Sequence, residues 1–112
     1  MEPWHAGFLE SLEAAADLHG QRTAWVDRTN TQFPDPVELT CQLFDDSGVF
    51  DLLADGGVFC EATDAALRRL SVLADGLDVE ADPGLLLSSA GWLEFAGAAA
   101  RALELVSADL AE

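Results

Sequence analysis

The chain has 112 residues, with 21 Asp and Glu against five Arg and no Lys, for a formal charge of −16. A surface this negative repels phosphate backbones and anionic lipid, which excludes direct nucleic-acid binding and membrane association as expected activities. Half of the residues are apolar, which is too many for a disordered chain and fits one domain with a modest core, residues 1–112.

Lys, Ile and Tyr are all absent and there is one Asn, which points to GC-rich coding. That bias should also raise Arg, so the scarcity of Arg makes the acidic excess more than a coding effect. Complementary fields speed encounter and select partners, and a basic protein is therefore the expected partner. General solvation, as in a salt-adapted proteome, is the competing explanation. Met1-Glu2-Pro3-Trp4 has no basic n-region, and every apolar run is shorter than a membrane span. The expected location is the cytoplasm. Cys41 and Cys60 fit neither a disulfide framework nor a metal knuckle, and both are expected to be buried and structural.

Residues 4–19 have helical periodicity. Trp4, Phe8, Leu12, Ala15 and His19 share a face, opposite Glu10, Glu13 and Asp17. Pro3 suits the first turn, and Gly20 is where the helix either breaks or continues to Arg28. Trp25 depends on that choice. In a continuous helix it leaves the apolar stripe and stands beside Arg22 and Arg28 as an interface hot spot; in a broken helix it packs in the core. Residues 29–36 form a loop.

Residues 37–44 are ambiguous. Val37, Leu39, Cys41 and Leu43 alternate with polar residues as in a strand, while Val37, Cys41 and Phe44 would share one side of a helix. Helix is preferred, because the only segments able to pair with such a strand, 49–53 and 57–60, carry other signals. Asp46 or Ser47 is placed to cap a short helix through Leu53, ended by Gly56. The next helix opens at Thr63 or Asp64 and buries Ala66, Leu70, Leu73 and Leu77, with Asp64 and Arg68 spaced for a surface pair. Asp82-Pro83 starts a turn through Leu87. The last helix is capped by Ser88 or Ser89. Its stripe of Trp92, Phe95, Ala96, Ala99, Leu103, Val106 and Leu110 falls within about 60° of one direction. The expected fold is mostly α: a small single-domain helical bundle with an irregular middle segment. The alternative is α+β with a short hairpin around 37–60.

Four constellations bear on chemistry. Asp78, Glu80 and Asp82 alternate like calcium-loop ligands, but the sixth and twelfth positions from Asp78 are Pro83 and Ser89 where an EF-hand needs Gly and Glu. Glu10-x-x-Glu13 with Glu61-x-x-Asp64 resembles the magnesium motif of the all-helical nucleotide pyrophosphohydrolases related to MazG. That likeness implies a metal-dependent nucleotide hydrolase. The gap between the pairs is longer than is usual in that family, and there is no Lys to hold a triphosphate. His5 and His19 stand roughly 21 Å apart along a helix and cannot share a metal. Neither cysteine sits in a nucleophile motif. No cofactor or metal is expected, and no catalytic residue.

The carboxylates cluster. Asp45, Asp46, Asp51, Asp55, Glu61 and Asp64 occupy one stretch without a basic residue, and Asp75, Asp78, Glu80 and Asp82 form a second group. The first group, with Trp25, is the expected partner-binding surface. The function expected from these features is non-catalytic: stoichiometric inhibition of a basic partner, as by an immunity protein or antitoxin. A structural or adaptor homodimer joined through the Ala-rich stripe of the last helix is the alternative.

Overall fold

Phe8, Leu12 and Ala15 are each at most 1 % exposed, and they face the last helix of the chain across the centre of the molecule. The computed structural model describes the backbone of residues 3–111 and the side chains of 5–111. Trp4, expected on the core stripe, lies outside the described side chains, and Met1, Glu2 and Glu112 lie outside the described residues. Seven α-helices and no strand occur among the described residues: α1 (Pro3–Ala16), α2 (Leu18–Trp25), α3 (Pro36–Cys41), α4 (Val49–Ala54), α5 (Glu61–Asp75), α6 (Pro83–Ser88) and α7 (Ala90–Ala111). Gln42–Asp46 form a π-helical turn that continues α3. α7 is the central element, packed chiefly on α1 on one side and α5 on the other, while α6 supports α2. The protein is therefore the mostly α bundle read from the sequence, and the stretch 37–60 is helical rather than a hairpin.

The first long helix breaks at Asp17, before the expected Gly20. The Asp17 carboxylate accepts from the Gly20 amide at 2.9 Å and caps α2. The break strands carbonyls at the end of α1, and Gln21 satisfies them: its Nε2 donates to Ala14 O at 2.8 Å and Ala15 O at 3.0 Å. Gln21 Oε1 in turn accepts from Trp92 Nε1 at 2.8 Å, joining the helix break to α7 inside the core. His19 consequently leaves the apolar face and is exposed.

Asp35 caps α3 by accepting from Glu38 N at 2.8 Å, with Pro36 in the first turn. The buried side is Pro36, Leu39 and Leu43, whereas Val37 and Cys41, expected inward, are exposed. The π turn ends where Ser47 Oγ donates to Leu43 O at 2.7 Å. Gly48, with φ 73°, then restarts the chain in α4 in a conformation costly to any side chain with a Cβ. α5 opens at Glu61, earlier than expected, and buries Thr63, Asp64, Leu67 and Leu70. Asp82 caps α6 and Ser89 Oγ accepts from Trp92 N at 3.2 Å at the start of α7, both as the sequence indicates. Ala96, Ala99 and Ala102 are at most 2 % exposed within the chain's own core. The small-residue stripe expected between subunits is thus taken up inside one molecule, where it allows α7 to lie close to its neighbours.

Candidate functional site

The π turn places two adjacent aspartates in two different grooves. Leu43 is wholly buried, and the half-buried Phe44 packs at a tilt against Phe50 at 4.6 Å and Phe95 at 6.2 Å between ring centroids. These anchors leave Asp45 and Asp46 exposed at the surface. Asp45 lines a groove of about 270 Å³ between the turn and α5, and Asp75, from the second acidic group, lines that same groove. Asp46 lines a larger groove of about 510 Å³ against α1, which it shares with Glu10. No Arg or His is among the described residues lining either groove.

Both grooves have mixed walls. The one beside α1 is bounded by Ser11, Gln42, Ser47 and its carboxylates, and also by Phe8, Ala14 and Pro34. The one beside α5 has an apolar floor of Phe44, Phe50, Leu77 and Val79 below its acidic rim.

The remaining residues of the expected surface divide. Asp51, Asp55 and Glu61 are exposed, but they line neither groove. Glu61 lies in the first turn of α5, where a negative charge favours the helix dipole. Asp64 is a correction: it is 6 % exposed and its carboxylate accepts from Phe59 N at 2.9 Å and Val58 N at 3.3 Å. Its role is to fold the 56–59 turn back onto α5, and Gly57 permits the approach, since a Cβ there would lie 2.7 Å from Asp64 Oδ2. Asp64 therefore pairs with backbone and not with Arg68, which donates to Leu53 O at 3.2 Å and Gly56 O at 3.4 Å.

Trp25 is a second correction. Because the helix breaks at Asp17, the wheel resets and Trp25 turns inward, 9 % exposed. Its Nε1 donates to Pro34 O at 2.8 Å, and its ring meets Trp92 edge-on at 5.7 Å and Phe33 at 6.1 Å. An indole so enclosed is mainly a core group, and what remains of its surface lines a groove with Arg28, Phe33 and Glu38.

Both cysteines are exposed and free, contrary to expectation. Cys41 lines the groove beside α5. Cys60 sits at the N-cap of α5 and donates its amide to Asp109 Oδ2 at 3.2 Å. Hydrogen bonds from the Thr63 side chain, the Cys60 amide and the Cys60 thiol hold the Asp109 carboxyl below its ordinary value of 3.8.

The four carboxylates of the hydrolase motif do not converge. Glu10 borders the groove beside α1, Glu13 and Glu61 are exposed on separate helices, and the oxygens of Asp64 are already engaged by amides. Among the described residues no group of three or more His, Cys, Asp or Glu is placed to hold a metal ion. The acidic loop after α5 uses its carboxylates on its own backbone, Asp78 Oδ1 accepting from Glu80 N at 3.2 Å and Asp82 Oδ2 from Leu85 N at 3.3 Å.

No helix among the described residues is long and apolar enough to cross a membrane. Compared with protein-family models, curated proteins and solved structures, the chain matches none.

Proposed function

We propose that this protein is a non-catalytic binding module that engages a basic protein stoichiometrically, in the manner of an immunity protein or antitoxin. The observation that carries the reading is the pair of grooves flanking the π turn, each with carboxylates on opposing walls and no lining cation. Within the molecule, Arg69 and Arg101 pair with Glu94 and Glu104, and Arg68 is committed to backbone carbonyls. Arg22 and Arg28 line neither groove, so no arginine of the chain stands among the groove carboxylates. A field of this sign accelerates encounter with a cationic surface and discriminates against acidic ones.

The test is affinity capture from host lysate at physiological salt with salt-step elution, followed by reconstitution of the recovered protein. One dominant basic protein, bound one-to-one and released by salt, is the expected result. Asp45→Asn combined with Asp46→Asn should then weaken the complex about tenfold, chiefly by slowing association. Recovery of further copies of the chain alone would favour a homodimer. A spread of weak basic contaminants would return the acidity to general solvation.

A further inference from the structure

We propose that the groove between the π turn and α5 is the selectivity pocket for that partner, taking one large apolar side chain presented between Lys or Arg residues; the inference rests on the basic-partner reading above. The cavity, about 270 Å³, falls below the roughly 300–1,000 Å³ of small-molecule sites, which suits a single anchoring side chain. Its floor is already fixed. Phe44 is held by Phe50 and Phe95, and Phe95 packs at a tilt against Trp92 at 5.1 Å, so little order has to be created on binding.

The rim identifies the occupant. Asp45 stands on the π turn and Asp75 at the end of α5, both exposed. The two Arg of α5 are engaged elsewhere, Arg69 with Glu94 at 2.8 Å and Arg68 with the carbonyls that close α4. A second copy of this chain would bring a like charge of −16 against that rim. A neutral apolar segment would desolvate both carboxylates without replacing their water. An apolar anchor flanked by cations satisfies floor and rim together, as amphipathic helices do in acidic, apolar grooves. The groove beside α1, with Glu10 and Asp46 on its walls, is then open to a flanking cation.

The two cysteines provide the experiment. Cys41 lines the pocket, while Cys60 caps the opposite end of α5, about 22 Å from Asp75 along the helix. Alkylation rates of both thiols in the intact protein are measured with an amphipathic Lys/Leu helical peptide and with its Leu→Ser counterpart of equal charge. Binding is followed in parallel by anisotropy of the labelled peptides. The Leu-bearing peptide should slow Cys41 about tenfold at saturation and leave Cys60 unchanged, while the Ser peptide binds by charge without protecting Cys41. Ser71→Trp, which fills the pocket from α5, and Asp45→Asn with Asp75→Asn should each cost the Leu-bearing peptide about tenfold in affinity. Circular dichroism of the variants checks that the helices persist. Equal binding of the two peptides with Cys41 fully reactive would overturn the pocket and leave the basic-partner reading standing. Failure of both peptides to bind would overturn the pocket and the basic-partner reading together.

Discussion

Gln21 is the residue on which the helix break depends. It is wholly buried, and its amide serves two carbonyls at the end of α1 while its oxygen receives Trp92. Gln21→Met keeps an unbranched side chain but strands Ala15 O and Trp92 Nε1, while Ala14 O keeps the Asp17 amide at 3.4 Å. It should lower stability by about 2–4 kcal/mol in urea titration, since each buried unsatisfied group costs about 1–3 kcal/mol. Trp92 emission should shift in the folded state of the variant, because its indole loses its acceptor. Asp109 offers a test of different kind. Its carboxyl is depressed below 3.8 by hydrogen bonds in the folded state, so its contribution is complete above that value and is lost as pH falls through the folded one. Asp109→Asn should therefore be less stable than the parent at neutral pH, and the gap should close as acid titrations pass below 3.8.

At the scale of elements, α7 is held in place by small residues. Ala99 is wholly buried between α7 and its neighbours, and Ala99→Leu should cost about 1–3 kcal/mol by overpacking, read as a lowered urea midpoint. Sedimentation should show an unchanged molecular mass, because the stripe packs within one chain. α6 and α7 were legible because their signals are local: Asp82-Pro83 and Ser89 are caps, and Trp92, Phe95, Ala96, Ala99 and Val106 repeat at helical spacing. The break at Asp17 was not, since the apolar period of α1 runs on past it and the compensating bond from Gln21 is tertiary. That one omission also misplaced His19 and left Trp25 undecided. In α3 the strand-like alternation masked the true inward set, Pro36, Leu39 and Leu43, and the start of α5 carried no capping signal because Cys60 occupies its N-cap without a side-chain cap bond. Asp45 and Asp46 were readable as exposed acid. Their separation into two grooves was not, because it requires a π turn and partners, Glu10 and Asp75, that the sequence places far away.

For the whole molecule, the net charge of −16 acts on folding and on binding with opposite sign. Raising ionic strength from 0.01 to 0.1 M shortens the screening length from about 30 to about 10 Å. Self-repulsion then weakens, and the free protein should gain of order 1 kcal/mol, seen as a melting temperature higher by about 4 °C or more. The same change should weaken any complex with a basic partner. A protein whose acidity served solvation alone would show the first effect without the second. The packing of α1 against α7 has a further consequence, in time rather than in energy. Synthesis must add 73 residues between Ala16 and Ala90. At about 5–20 residues per second that interval is about 4–15 s, during which Phe8, Leu12 and Ala15 lack the α7 face that is their main cover. Until α7 is made, the apolar face of α1 lacks its principal partner, the state in which exposed apolar surface is prone to aggregate.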